Sequence, residues 1–263
     1  MFKTILSSII LTFLMQAPLQ AAITGEDVNY KSGNTNLIGY IAYDNAVKGK
    51  RPGVILVPDW WGVSEFARNR ARALAKLGYT AMVMDMVGAG MFAETTNKAK
   101  ALMGNATADP KVMKARFLAA KNVLSKHKST NGKIAAMGYS LGGMIVLEMA
   151  RQGVDLKSVV SIWGVISKAD KPAKKGKVKA RVLIIHPATD GWAPTEAVDA
   201  LKMEMAKARA HFQIITYPNT KHGFTRPDAD TKAAKDNLPL KYDAAADKKS
   251  WNDLGRFLKA SFK

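Results

Sequence analysis

Apolar residues along the chain follow two alternating patterns, short continuous runs and longer amphipathic segments. Residues 53–57 form a continuous apolar run, which is typical of a strand buried on both faces of a sheet. Residues 64–77 carry apolar positions at helical spacing, and Gly78 follows where the helix should end. Strands that alternate with helices predict an α/β fold, a mostly parallel sheet with helices on both faces. The predicted strands cover residues 36–43, 53–57, 79–84, 133–137, 159–163, 182–186 and 211–217, and the predicted helices cover residues 64–77, 111–126, 142–151, 195–208 and 249–262.

The N-terminal segment has the three-part pattern of a secretory signal peptide. Lys3 supplies a positive start, residues 4–15 form an apolar run, and Ala21 and Ala22 offer small side chains for cleavage. A membrane-spanning helix needs roughly 18 or more apolar residues, so this run is too short to be one. A buried N-terminal helix is the alternative. We expect a signal peptide over residues 1–21, a single domain over residues 22–263, and a periplasmic or secreted protein whose mature chain has no transmembrane segment.

A candidate nucleophile lies between a predicted strand and a predicted helix, in the sequence Gly138-Tyr139-Ser140-Leu141-Gly142. This G-x-S-x-G pattern is typical of a nucleophile elbow, a turn that exposes a serine hydroxyl at the end of a sheet. The turn is so tight that side chains at the two glycines would clash. It also places the Leu141 N–H at a helix N-terminus, where it can stabilise an oxyanion. An ordinary tight turn between a strand and a helix is the alternative.

A serine nucleophile needs a base, and His222 is the best placed of the four histidines. It follows a late predicted strand on a loop, and Asp190 follows the strand predicted over residues 182–186. The order Ser140, Asp190, His222 is that of α/β-hydrolases, and the carboxyl ends of parallel strands meet at one edge of a sheet. We expect Ser140 to attack an acyl carbon, His222 to carry the proton and Asp190 to orient the imidazole. A helix-capping aspartate and a surface histidine are the alternatives.

The loop after the strand at residues 53–57 reads Asp59-Trp60-Trp61-Gly62. A second oxyanion donor normally comes from such a loop, so the Trp60 N–H is the candidate. Two adjacent tryptophans suit the wall of an apolar acyl pocket. Alternatively, both pack beneath the following helix.

Together these motifs resemble the dienelactone hydrolase family of α/β-hydrolases from about residue 36 to the C-terminus. The resemblance rests on the Asp-Trp-Trp-Gly loop, residues 71–79, the turn around Ser140, Asp190, and the sequence His222-Gly223-Phe224. It implies an α/β-hydrolase fold with a catalytic triad of Ser140, Asp190 and His222. It also implies an oxyanion hole formed by the N–H groups of Trp60 and Leu141.

Some positions depart from the namesake of that family. The namesake has a cysteine in place of Ser140 and a loop glutamate in place of Asp59. An arginine that helps to bind the substrate carboxylate in the namesake is matched by Arg226. The namesake's second, upstream arginine has no matching arginine here, and Lys98 or Lys100 is the candidate to replace it. These departures argue against a dienelactone as the substrate, while hydrolysis of an ester, a thioester or another lactone is favoured. We predict four substrate-binding residues: Asp59, Trp61, Tyr139 and Arg226.

The composition excludes several chemistries and leaves the charge to be explained. The chain has 40 Lys and Arg against 21 Asp and Glu, a formal charge of +19, and no cysteine. Disulfides, thiolate zinc sites, iron–sulfur clusters and a thiol nucleophile are therefore excluded, and we predict no metal and no cofactor. Basic residues are densest over residues 168–181, but no aromatic residue lies among them to stack on bases. We predict a solvated loop there and no nucleic-acid partner, with anion contact as the alternative.

Three functions fit these observations. The leading one is an exported serine hydrolase that cleaves small esters or lactones, with anionic substrates among the candidates because of the basic surface. The second is a non-catalytic module on a hydrolase fold that binds an anionic polymer. The third, acyl transfer, differs from hydrolysis only in the group that attacks the acyl-enzyme.

Overall fold

An eight-stranded sheet forms the centre of the protein, with the strand order β1-β2-β4-β3-β5-β6-β7-β8. The computed structural model describes residues 22–167, 169 and 171–263; the predicted signal peptide lies outside these residues. The strands are β1 (Ile23–Ser32), β2 (Thr35–Asp44), β3 (Arg51–Val57), β4 (Thr80–Val83), β5 (Thr130–Tyr139), β6 (Ser158–Ile162), β7 (Arg181–Thr189) and β8 (Phe212–Lys221). The helices are α1 (Glu65–Lys76), α2 (Thr96–Thr107), α3 (Pro110–Lys126), α4 (Leu141–Arg151), α5 (Thr195–Lys207), α6 (Ala229–Asp236) and α7 (Ala244–Ser261).

The sheet is mostly parallel, as predicted. Strands β3 to β8 pair in parallel, whereas β1 pairs with β2, and β2 with β4, in antiparallel fashion. Because the parallel strands point the same way, the segments that follow β3, β5, β7 and β8 leave the sheet at one edge. That edge holds the candidate residues.

Helices cover both faces of the sheet, which confirms the predicted α/β architecture. On β3, Ile55 and Val57 pack into the core beneath α2, α3, α4 and α5, while Val54 and Leu56 pack into the core beneath α1 and α7. This alternation follows from the two-residue period of a strand, and it explains why the run is apolar at every position. Within the described part of the chain, no helix is long and apolar enough to cross a membrane.

Three elements were not predicted from the sequence. Strand β1 pairs only with β2 at the edge of the sheet and buries only Tyr30, so its sequence is largely polar. Helix α2 buries little more than small or flexible side chains, Ala99, Met103 and Ala106. Helix α6 and the end of β8, which continues to Lys221, lie within residues 218–243, where neither a strand nor a helix was predicted.

A largely buried ion pair joins α4 to α5. Arg151 donates to the two carboxylate oxygens of Glu204 at 2.8 and 3.0 Å, and the Ala173 N–H donates to the same carboxylate at 2.8 Å. Burial tends to raise the pKa of Glu204, but the bonds from Arg151 and Ala173 outweigh it and hold that pKa below its ordinary value. A carboxyl whose pKa is depressed in the folded state stabilises the fold at neutral pH, and this contribution is lost as the pH falls through the folded-state pKa.

We therefore expect Glu204→Gln to lower the melting temperature at neutral pH. A hydrogen bond to a charged group contributes roughly 1.5–3 kcal/mol, so the decrease should amount to several degrees. The difference from the wild type should shrink as the pH falls below the ordinary carboxyl range, because the wild-type carboxyl is then neutral as well. Thermal unfolding followed by circular dichroism across this pH range measures both effects. Glu196→Gln, on the exposed part of the same helix, is the control, and a deficit that is independent of pH would contradict the prediction.

Candidate active site

Ser140 lies at the sharp turn that joins β5 to α4. Its backbone angles are φ 51° and ψ −118°, a conformation that is strained for a residue with a side chain. The surrounding structure holds it there: its N–H donates to the Ile162 carbonyl at 3.2 Å, and its carbonyl accepts from the Val165 N–H at 3.1 Å. Strained residues of this kind cluster at functional sites, where the rest of the fold imposes the conformation.

Two glycines permit this turn, as the sequence indicated. A Cβ on Gly138 would lie 2.1 Å from the carbonyl oxygen of Gly142, and a Cβ on Gly142 would lie 2.2 Å from the carbonyl oxygen of Val57. Both contacts are with backbone atoms, which cannot move without displacing α4 or β3. The start of α4 therefore sits directly against the end of β3, the strand that leads into the Asp-Trp-Trp-Gly loop.

The structure brings Ser140, His222 and Asp190 into one hydrogen-bonded chain. Ser140 Oγ lies 2.8 Å from His222 Nε2, and His222 Nδ1 lies 2.8 Å from Asp190 Oδ2. The side chains of His222 and Asp190 are almost completely buried. Because a carboxylate only accepts hydrogen bonds, the Nδ1 proton points to Asp190, and Nε2 is left to accept the proton of the serine hydroxyl.

Each residue of this hydrogen-bonded chain follows a different strand of the sheet. Asp190 directly follows β7, and its second carboxylate oxygen accepts from the Trp192 N–H at 2.9 Å. His222 directly follows β8, where it pairs with Leu240 in an isolated bridge. The residues converge because β5, β7 and β8 end at the same edge of the sheet, as the sequence predicted.

Two tryptophans, which sequence reasoning did not assign to the site, enclose the imidazole of His222. The rings of Trp163 and Trp192 pack edge-on against it, with centroids at 4.9 and 4.5 Å. Trp163 is fixed in turn by a hydrogen bond from its Nε1 to Thr225 Oγ1 at 2.7 Å. Both could have been assigned to the site from the sequence, because Trp163 follows the end of β6 and Trp192 lies two residues after Asp190.

The two predicted oxyanion donors lie beside Ser140. Trp60 and Leu141 line the same cavity as Ser140 and His222. Neither backbone N–H donates a hydrogen bond to another residue that the structure describes. Leu141 is the first residue of α4, where an N–H has no partner within the helix. Neither N–H is thus committed to a partner within the described part of the protein.

The cavity next to Ser140 has a volume of about 250 Å³ and mostly apolar walls. Both tryptophans of the early loop border it, and Trp61 also packs on Ala93 and Ala99. Lys100 reaches the cavity from α2, whereas Lys98 does not line it. The remaining lining residues are Asp59, Met103, Gly104, Thr107, Leu141, Trp163, Val165, Trp192, Arg226 and Leu240.

Asp59 and Arg226 form a buried ion pair at one side of the cavity. Arg226 donates to Asp59 at 2.5 Å and, through two nitrogens, to Asp228 at 3.0 and 2.9 Å. Burial tends to lower the pKa of Arg226, but the two carboxylates outweigh it and raise that pKa. Asp59 also accepts from the Trp61 N–H at 3.0 Å, so the pair ties the early loop to the segment after His222. The positive charge of Arg226 is therefore already compensated by two carboxylates of the protein.

Lys232 extends this cluster from α6. Its ammonium lies 3.6 Å from the centroid of the Trp61 ring and 3.7 Å from Asp228. Burial and the charge of Arg226 outweigh Asp228 and lower the pKa of Lys232. The contact links α6 to the Asp-Trp-Trp-Gly loop.

Tyr139, predicted from the sequence to bind substrate, does not line the cavity. It is the last residue of β5, and its side chain points into the core beneath α1 and α7, where its ring lies 5.1 Å from Phe66 and 5.4 Å from Trp163. Burial raises the pKa of its hydroxyl. The alternation of side chains along a strand sends Tyr139 to this face, while the turn turns Ser140 toward the cavity.

A mostly parallel sheet with helices on both faces and a serine on the turn after its central strand defines an α/β-hydrolase fold. Within that class the sequence model of the dienelactone hydrolase family matches residues 37–262. The chain belongs to the dienelactone hydrolase family and is a hydrolase of carboxylic ester or lactone bonds. The family membership expected from the sequence is confirmed.

Known relatives cover most of the chain. A protein of Escherichia coli (strain K12) named "putative carboxymethylenebutenolidase" is 26% identical over 242 residues, which are 85% of this chain and 86% of that protein. The crystal structure of a dienelactone hydrolase-like promiscuous phosphotriesterase from metagenomic libraries is 30% identical, covers 91% of this chain and 98% of its own, and has a TM-score of 0.83. A dienelactone hydrolase from Anabaena variabilis, 19% identical over 81% of this chain and 94% of its own, shares the fold with a TM-score of 0.59.

Proposed function

We propose that the protein is a serine hydrolase that cleaves small carboxylic esters or lactones through an acyl-enzyme. The observation that carries this proposal is the hydrogen-bonded chain from Ser140 through His222 to Asp190, with links of 2.8 Å on either side of the histidine. The mostly apolar cavity beside Ser140 supports it, as do the backbone N–H groups of Trp60 and Leu141, which have no hydrogen-bond partner among the described residues.

In the first half of the reaction, Ser140 Oγ attacks the carbonyl carbon while His222 Nε2 takes the hydroxyl proton. The carbonyl oxygen becomes an oxyanion that accepts from the N–H groups of Trp60 and Leu141. Asp190 stabilises the imidazolium and keeps its orientation, and the flanking tryptophans restrict the ring further. When the C–O bond breaks, His222 returns the proton to the leaving oxygen and the acyl group remains on Ser140.

In the second half, water attacks the acyl carbon and loses a proton to His222. The C–O bond to Ser140 breaks, and His222 returns that proton to Ser140 Oγ. An ester releases its alcohol at the first step, whereas a lactone keeps the freed hydroxyl on the same molecule. Each step uses these side chains, the two backbone N–H groups and water.

The cavity also supports a proposal about the substrate. Its volume of about 250 Å³ and its tryptophan walls suit a small acyl group. Arg226 is paired with two carboxylates, so Lys100 is the cation better placed to meet an anionic group on a small substrate. Asp59 and Trp61 contribute to the wall of the same cavity.

Export of the protein is a separate proposal, supported by the signal-peptide pattern of residues 1–21. Mass spectrometry of the protein recovered from the periplasm or medium of expressing cells tests it. We expect a mature chain that begins near Ala22. Recovery of the intact chain from the cytoplasm alone would contradict it.

The catalytic proposal predicts hydrolysis of short p-nitrophenyl esters and covalent labelling by a fluorophosphonate probe. The probe reacts with a serine that a neighbouring base activates, so it should modify Ser140 and no other serine. Peptide mass spectrometry locates the label, and pretreatment with the probe should abolish hydrolysis. A protein that neither hydrolyses these esters nor reacts with the probe would overturn the proposal, as would labelling at another serine.

A further inference from the structure

A second, larger cavity adjoins the active-site cavity and borders α4. It has a volume of about 760 Å³, and Thr107 and Val165 line both cavities. One wall is the start of α3, another is α4, and the third is the segment between β6 and β7. We refer to this cavity as the α4 groove.

The floor of the α4 groove is apolar. Met113, Met144, Leu147, Val165 and Ile166 contribute to it. Methionine side chains are flexible and adapt to ligands of different shape, so such a floor suits a hydrocarbon chain. Helix α4 rises about 1.5 Å per residue, which places its end at Arg151 about 16 Å from Ser140.

The rim of the α4 groove is strongly basic. Five lysines border it, Lys111 and Lys114 from α3 and Lys171, Lys174 and Lys177 from the facing segment. No carboxylate lies within 4.0 Å of any of them among the residues that the structure describes. Among the lining residues that the structure describes, Glu148 alone carries a carboxylate, and it faces Arg151, which also binds Glu204. The groove therefore complements a negative charge.

We propose that the α4 groove binds the distal part of an extended ester substrate, an aliphatic chain that ends in an anionic group. The inference rests on the proposed function and names its substrate class: the scissile carbonyl lies at Ser140, the chain lies on the apolar floor, and the terminal anion lies among the lysines. The dense basic stretch, expected from the sequence to be a solvated loop, then contributes to substrate selection.

The test compares p-nitrophenyl half-esters of dicarboxylic acids, from succinic to sebacic acid, with the same compounds capped as methyl esters. We expect kcat/KM for the longer half-esters to exceed that of their capped counterparts by about tenfold, since several exposed ion pairs of modest strength act together. The preference should fall at high salt, which screens exposed charges. Acetate esters of ω-hydroxy acids place the charge on the alcohol side, so the series that shows the preference identifies the end that enters the groove.

A charge-matched pair of variants separates local binding from long-range attraction. Lys111→Glu/Lys174→Glu changes opposite walls of the groove and should abolish the preference for the anionic substrates while leaving p-nitrophenyl acetate hydrolysis within about twofold. Lys248→Glu/Lys259→Glu makes the same change of net charge on exposed positions of α7, on the other face of the sheet, and should keep the preference. The groove assignment would be overturned if both double variants lost the preference for anionic substrates equally. It would also be overturned if the wild-type enzyme hydrolysed p-nitrophenyl acetate but showed no preference for anionic substrates. Inactivity toward every ester would instead refute the proposed function.

Discussion

Ser140→Ala is expected to lower kcat for p-nitrophenyl acetate by roughly four to six orders of magnitude. The hydroxyl is the atom that attacks the acyl carbon, and no cysteine is available anywhere in the chain to replace it. His222 and Asp190 lose no contact with each other, because the bond between His222 Nδ1 and Asp190 does not involve the serine. Steady-state assays with purified protein measure the loss, and the residual rate should be independent of the fluorophosphonate probe.

The stability of the same variant should change little. Alanine retains a Cβ at φ 51°, so the strain at the turn persists, and the melting temperature should stay close to that of the wild type. Ser140→Gly is the informative companion, because glycine accepts this conformation without strain. It should be equally inactive yet more stable than Ser140→Ala by about 1 kcal/mol, after the larger entropy of the unfolded glycine chain is deducted. Appreciable activity in either variant would refute the role of Ser140.

Residues could be predicted from the sequence where their position in the site follows from the order of the strands and from where each strand ends. Ser140 and Asp190 follow buried strands with clear apolar patterns, and His222 follows the edge strand β8. In a parallel sheet, strand ends are neighbours whatever the length of chain between them. The glycines at 138 and 142 carry the same information locally, since only a turn that brings backbone atoms together requires both.

The residues whose position depends on side-chain packing could not be predicted in this way. Tyr139 adjoins Ser140 in the sequence but points into the core on the other face, while Leu240 reaches the cavity from a segment that carried no pattern at all. The ion pairing of Arg226 is a further example: the sequence shows an arginine after the histidine, but its two carboxylate partners, the buried Asp59 and the exposed Asp228, become apparent only in three dimensions.

Arg226→Met is expected to destabilise the fold by about 3–5 kcal/mol, the usual cost of removing one partner from a buried ion pair. The change leaves the Asp59 carboxylate, which is 2% exposed, without the cation that compensates its burial. Arg256→Met is the control, because Arg256 is exposed on α7 and its partner Asp253 keeps bonds from Tyr217 and Lys249. Its cost should stay below about 1 kcal/mol. Chemical denaturation of the two variants gives the comparison.

The activity of Arg226→Met distinguishes two roles for this residue. The Asp59 carboxylate holds the Trp61 N–H, and Trp60 lies between them, so displacement of Asp59 should misalign an oxyanion donor and lower kcat for all esters. If Arg226 instead bound the carboxylate of a substrate, the variant would keep its stability and would raise KM for anionic esters alone. Asp59→Asn in the Arg226→Met background removes the uncompensated charge and keeps an oxygen for the Trp61 N–H. Recovery of stability and kcat in this double variant, beyond the sum of the single changes, would identify Arg226 as a positioning residue whose contribution to catalysis passes through Asp59.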